Sequence, residues 1–228
     1  MRLVIFDVDG TLTDTVAIDE RCFLRAFAEV CGFASVDSDW SRYQNATDTG
    51  IFAEVFASHM GRAPSLDETI RFRDHLVELF REAACKSPFA PIAGAPRLLA
   101  RLDRSEQYKV ALATGCWRDS ARVKMASAGL DYDAYPSASA DDAPERAAIM
   151  QLAVERAAIR YGCFDDSVYV GDGVWDARAC LALGIPFIGI GVAGRAEKLR
   201  QAGAVNVFAD LMDSDGFLQV LQSIEAKP

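Results

Sequence analysis

Residues 3–6, Leu-Val-Ile-Phe, form an unbroken apolar run, and Asp7-Val8-Asp9-Gly10-Thr11 follows it directly. Such a run has no helical spacing and reads as a strand covered on both faces, as in a parallel sheet. A carboxylate at the end of a buried strand loses hydration, so it requires a cation, backbone N–H groups or a basic side chain nearby. Two carboxylates one residue apart at a strand-to-loop exit point to a divalent cation, with one Asp left free for chemistry. The fold must therefore bury this strand and open its carboxyl end to a cleft.

The rest of the chain supplies the partners for that strand. From residue 94 onward, apolar runs alternate with helical patterns. Helices are expected over 94–102, 118–128, 145–160 and 175–183, and strands over 110–113, 168–170 and around 187–188. A weaker strand signal lies within 133–140, and a helix–strand–helix closes the chain. This alternation predicts an α/β fold, a Rossmann-like doubly wound parallel sheet. Residues 15–88 differ, for they contain no strand-like run. Thr15 reads as the cap of a helix to about Cys31, Thr47 or Asp48 as the cap of a second, and 65–84 as a third. The expected organisation is a catalytic core of residues 1–14 and 89–228, interrupted by an all-helical cap over 15–88. Residues 87–91, Ser-Pro-Phe-Ala-Pro, form the return linker.

Composition removes several classes of function. The 228 residues are 51% hydrophobic, ample for a buried core, and the net charge of −9 argues against nucleic acid and anionic membrane surfaces as partners. A bound cation can still reverse the local sign at one site, so an anionic substrate stays open. The six cysteines show no CxxC spacing and read as reduced, packed thiols. No stretch approaches the roughly 18 apolar residues of a membrane span, and no leader pattern precedes the first strand. A cytoplasmic location is the expectation.

Ligands of doubly wound sheets bind outside the carboxyl ends of the strands. Those ends carry Asp7 and Asp9, then Thr114 and Gly115, then Asp172 with Asp176, while Arg146 stands at the start of a helix after the weak strand. Carboxylates, a hydroxyl, exposed amides and one fixed cation around a crevice suit phosphoryl transfer with Mg²⁺.

Three motifs in this order, Asp-Val-Asp-Gly-Thr at 7–11, Ala-Thr-Gly at 113–115 and Gly-Asp-Gly-Val-Trp-Asp at 171–176, resemble those of the haloacid dehalogenase superfamily. The helical insert after the first motif resembles that family's alpha-helical cap, so the resemblance spans nearly the whole chain. It implies that Asp7 is a nucleophile forming an aspartyl-phosphate and that Asp9 is the general acid/base. It further implies that Asp7, the Asp9 carbonyl and Asp172 hold Mg²⁺, with Asp176 in support. Gly10, Thr11, Thr114 and Gly115 would contact the phosphoryl group. One departure stands out. The family has a lysine in its third motif, and this chain has no lysine between Leu130 and Asp172. Arg146 stands where that cation belongs, offering a planar fork instead of a point charge. In the cap, residues 45–50 (Asn-Ala-Thr-Asp-Thr-Gly) resemble the cap loop of phosphoglycolate-phosphatase-like members. Thr47 and Asp48 are therefore candidates for substrate contact as well as for helix capping.

The expected activity is Mg²⁺-dependent hydrolysis of a small phosphorylated metabolite. A phosphosugar mutase of the same superfamily is the alternative. A receiver-like signalling domain fits poorly, because it has no use for a helical lid. Gly189-Ile-Gly191-Val-Ala-Gly194 also fits GxGxxG, with Asp210 downstream, which would suit a dinucleotide-binding oxidoreductase. The helix after it is short and little chain follows, so the glycines are expected to form a loop beside the crevice. Trp117, Trp175 and Cys116 read mainly as packing residues, and His59 and His75 as surface or interhelix residues of the cap.

Overall fold

The computed structural model describes residues 1–224. Its centre is a parallel sheet of six strands: β1 (Arg2–Phe6), β2 (Tyr108–Ala113), β3 (Ser137–Ala138), β4 (Asp166–Gly171), β5 (Phe187–Ile190) and β6 (Asn206–Phe208). The spatial order is β3-β2-β1-β4-β5-β6. β1 thus lies between β2 and β4, with Val4 level with Val110 on one side and Val168 on the other. The order reverses at β1, so the crevice of this sheet opens beyond Phe6, where Asp7 begins.

Period-2 alternation divides β1 between two cores. Val4 and Phe6 pack with Val110, Leu112, Val168 and Val170 against the helices α4 (Ala95–Asp103), α5 (Arg118–Ser127) and α9 (Ser214–Ser223). Leu3 and Ile5 face the other way with Tyr169, onto α6 (Arg146–Tyr161) and α7 (Val174–Leu183). All four apolar residues of the run are fully buried, as a strand covered on both faces requires. α8 (Ala193–Gln201) joins β5 to β6.

Between β1 and β2 the chain leaves the sheet and builds α1 (Val16–Ala26), α2 (Asp48–Met60) and α3 (Leu66–Lys86). α1 does not run straight to Cys31, since its last turn, Phe27–Cys31, widens into a π-helix that closes on Gly32 at φ 74°. A left-handed residue at a helix end is the conformation glycine adopts without strain. Ser65 and Glu68 form a reciprocal capping box at the start of α3. Aromatic rings hold the three helices together. Phe27, Phe52 and Phe72 meet with centroids 4.4–6.1 Å apart. Trp117, from the loop before α5, joins the same cluster, which seats the helical layer on the sheet.

The two crossings between layers run side by side. Asp14 N donates to Ala90 O and Ile92 N donates to Leu12 O, each at 2.9 Å, so the outgoing and returning chains pair like the strands of a short antiparallel ladder. The N-terminus of α2 adds a second contact. Asp48 N donates to Gly115 O at 2.7 Å, Trp117 N donates to the Asp48 carboxylate at 2.8 Å, and Thr49 Oγ1 donates to Ala140 O at 2.6 Å. The helical layer is docked over the crevice. Among the described residues no helix is long and apolar enough to cross a membrane.

Candidate active site

A cavity of about 670 Å³ lies between the strand ends and the helical layer. Asp7, Asp9, Thr47, Asp48, Thr114, Gly115, Arg146 and Asp172 all line it, so residues spread from 7 to 172 in the chain converge there. Gly10, Thr11 and Asp176 stand behind that lining. Gly10 has φ +71° and faces Asp172 so closely that a side chain there would overlap the carboxylate. Its amide and that of Thr11 close the turn onto Thr13 O and Val8 O. Thr11 Oγ1 is buried without a hydrogen-bond partner.

Arg146 is the pivot of the first acidic cluster. It starts α6, and its Nη1 lies 3.3 Å from Asp7 Oδ1 while its Nε lies 3.2 Å from Asp176 Oδ1. Gly115 allows that approach, because a Cβ there would crowd the guanidinium at 2.8 Å. Burial pushes the Asp7 carboxyl well above its usual range, with Arg146 opposing the shift. Asp176 is raised for the same reason, and burial lifts Asp172 to about 7 against the pull of Arg195. Arg195 Nη1 lies 2.7 Å from Asp172 Oδ2. Arg156 and Arg160, the other cations of this stretch, point elsewhere: Arg156 braces Asp142 at 2.7 Å and Arg160 lies over the Tyr161 ring.

Oxygens of Asp7, Asp172 and Asp176 lie within 4.8 Å of one another. Burial raises the proton affinity of all three, and mutual repulsion adds to the rise at Asp7 and Asp172. An all-oxygen donor set is what a hard divalent cation such as Mg²⁺ takes. These residues fit the metal.

Asp9 belongs to a different cluster. Its Oδ1 accepts the Thr15 hydroxyl at 2.5 Å, and its Oδ2 accepts the Cys116 thiol at 2.6 Å and Lys124 Nζ at 3.0 Å. Burial alone would raise Asp9, but Lys124, Cys116 and Thr15 outweigh it and hold the carboxyl below its usual range. Lys124 also pairs with Asp19 of α1. Neither Lys124 nor Asp19 stands out in a motif, and Cys116, read as packing, is a hydrogen-bond donor to Asp9. The signal was one of misplaced charge. Lys124 falls in register with the buried Ala121 and Ala128, as Asp19 does with Val16 and Phe23 (positions where an apolar residue is expected).

Thr114 is fully buried, and its Oγ1 accepts from Cys116 N at 3.2 Å, leaving its own proton to donate. Thr47 serves as the α2 cap, accepting from Gly50 N at 3.1 Å and donating to Pro144 O at 2.7 Å. Trp117 is packed in the cap cluster, while Trp175 lines the cavity. His59 stacks on Phe33 with centroids 4.2 Å apart and His75 meets Glu29 at 2.7 Å, both within the helical layer. Gly189 lies in β5 and Gly194 in α8, whose first turn carries Arg195 toward Asp172.

This architecture and this set of strand-end carboxylates define a hydrolase. The chain belongs to the haloacid dehalogenase-like hydrolases, whose family model matches residues 1–184. It is 27% identical over 224 residues to the phosphoglycolate phosphatase of Rhodospirillum rubrum, an alignment covering 92% of this chain and 87% of that protein. Among solved structures, a hydrolase from Pseudomonas syringae superposes with a TM-score of 0.76 at 21% identity, over 97% of this chain and 99% of the other. CbbY from Rhodobacter sphaeroides, solved in complex with phosphate, superposes at 0.69 with 19% identity, covering 92% and 95%. Membership in this hydrolase family stands against the dinucleotide-binding oxidoreductase suggested by Gly189–Gly194.

Proposed function

We propose that the protein is a Mg²⁺-dependent phosphatase of small phosphate monoesters acting through an aspartyl-phosphate on Asp7. The observation that carries this reading is the guanidinium of Arg146 held between Asp7 and Asp176 at the mouth of β1. It supplies the cation that a carboxylate nucleophile facing an anionic phosphate requires, and two anchoring carboxylates fix its direction. Asp7, Asp172 and the Asp9 carbonyl would hold the ion, with Asp176 in support. Bound there, Mg²⁺ would supply positive charge that offsets the repulsion between Asp7 and the incoming phosphoryl oxygens.

The residues divide the chemistry as follows. A carboxylate oxygen of Asp7 attacks phosphorus, and the bond to the leaving oxygen breaks with its electron pair. That oxygen takes a proton from Asp9, which carries one only after turning away from Lys124, Cys116 and Thr15, the donors that hold it ionised. In the second half, Asp9 takes a proton from water, whose oxygen attacks phosphorus and frees both phosphate and Asp7. Thr114 and Arg146 donate to the equatorial phosphoryl oxygens throughout. The helical layer excludes bulk water, and Thr47 and Asp48, which line the cavity from α2, face the leaving group. The relative from Rhodospirillum rubrum makes phosphoglycolate the first substrate to assay.

The test is phosphate release from a panel of sugar phosphates, phosphoglycolate and nucleotides, with and without Mg²⁺. Asp7→Asn should lower turnover at least about 10³-fold while leaving the fold intact. Retained turnover in that variant would overturn the assignment. Conversion of a hexose phosphate to its isomer with little free phosphate would favour the mutase instead.

A further inference from the structure

We propose that Lys124 and Asp19 form a positioning pair that sets the orientation of Asp9 and couples it to the seating of the helical layer. The inference deepens the phosphatase reading and rests on it. Lys124 lies on α5, its side chain is fully buried, and its ammonium is 3.0 Å from the Asp9 carboxylate, in contact with Asp19, 3.1 Å from Cys116 Sγ and 4.4 Å from the centroid of the Phe80 ring. An ammonium has three donors and no acceptor. Two carboxylates and a sulfur occupy them, and an aromatic face covers another side. Asp9, Asp19 and Cys116 line the cavity, whereas the ammonium sits behind them. Lys124 therefore has no donor left for a substrate, and any influence on the reaction passes through Asp9.

A buried ammonium is tolerated only where it is fully paired. Asp9, Asp19 and Cys116 also group closely enough to resemble a metal site, but the lysine already fills the centre of that group. Around Asp9, donors arrive from three places: Thr15 at the exit to the helical layer, Cys116 after β2, and Lys124 of α5. Thr15 is itself held by Thr13 Oγ1 at 2.7 Å. The carboxylate plane is fixed from both oxygens.

A general acid held this firmly must be released when it turns to a leaving oxygen. Asp19 provides for that release. It belongs to α1, whereas Asp9 and Lys124 belong to the sheet and its flanking helix. With the helical layer seated, Lys124 keeps Asp19 as a partner while Asp9 turns away, so no unpaired charge is created. With the layer lifted, Asp19 leaves and Asp9 becomes the one carboxylate on the ammonium, beside Cys116. Proton delivery by Asp9 is thereby matched to closure of the site.

Leaving-group dependence tests this, because a nitrophenolate departs without a proton and an alkoxide does not. The measurements are kcat and KM for p-nitrophenyl phosphate and for the alkyl phosphate that the wild type hydrolyses fastest. The variants are Asp19→Asn, Lys124→Met and Lys124→Met/Asp19→Asn, the last removing the carboxylate that the single lysine change would strand. The double variant should lose about 10²–10³-fold in kcat for the alkyl ester but less than about tenfold for the nitrophenyl ester, with KM little changed. Asp19→Asn should show the same selectivity at smaller size. Equal losses for both esters, or no loss, would overturn the positioning role. A wild type inactive on every ester would instead remove the phosphatase reading, and this inference with it.

Discussion

Two buried acidic clusters lie within one cavity, and they solve the same electrostatic problem in opposite ways. Asp7, Asp172 and Asp176 carry raised proton affinities and are only partly compensated, by the guanidinium of Arg146 and by the half-exposed Arg195. Asp9 is held below its usual range with an ammonium beside it, although burial still raises Asp19, the other carboxylate on that ammonium. A cluster short of positive charge is a receptor for a cation, whereas a compensated one is an assembly whose geometry is already fixed. The first is suited to binding, the second to orienting a single carboxylate.

The sharpest way to break the contrast is to remove Arg146. Arg146→Ala should lower turnover by about 10³-fold, while Arg146→Lys, which keeps the charge but loses the fork between Asp7 and Asp176, should cost about 10- to 100-fold. Steady-state kinetics with circular dichroism to check folding would decide it, and an active Arg146→Ala would remove the asymmetry. Metal binding gives the next effect. At 100 times its dissociation constant Mg²⁺ should stabilise the protein by about 2.7 kcal/mol, read as a rise in melting temperature that Asp172→Asn abolishes. The same experiment has a pH dependence. In chelator, folded Asp172 keeps its proton up to pH about 7, whereas the unfolded chain releases it near the ordinary value of about 3.9. The metal-free protein should therefore lose stability as pH rises between those values, and Mg²⁺ affinity should rise over the same window. Melting that is flat across this window would count against Asp172 as the raised group. The smallest effect belongs to Cys116. Serine at this position can still donate to Asp9 from a shorter reach, so Cys116→Ser should change turnover less than about threefold. A larger loss would show that the second cluster depends on the thiol as well as the ammonium.

The parts of this molecule that could be read in the sequence share a cause. β1, β2, β4 and β5 are apolar runs whose burial is local in its signature, and the residues ending them form contiguous motifs. β3 spans only Ser137–Ala138, too short for any periodic pattern, so its weak signal was inherent. Arg146 was legible because a helix start in the right place held one cation, and it does face Asp7. Lys124 and Asp19 were not, because their meeting depends on how α1 and α5 both pack against α3, which no local pattern encodes. What the sequence did hold was two opposite charges on two apolar stripes, each unfavourable alone and compatible only if they meet. The π-helical turn at Phe27–Cys31 had no comparable signal.

The paired crossings at Leu12–Asp14 and Ala90–Ile92 have a consequence for how such a molecule can change. Because departure and return lie one backbone hydrogen bond apart, the sheet experiences the whole helical layer as a hairpin closure, whatever its length. Closure entropy grows only as the logarithm of the segment length. A change in the insert's length away from its contacts with the core therefore adds little to the cost of closure. Several of its features are tied to the machinery below: Thr15 on Asp9, Asp19 and Phe80 around Lys124, and the start of α2 on Gly115, Trp117, Ala140 and Pro144. A new lid has to keep these contacts if Asp9 and Lys124 are to stay as they are held here.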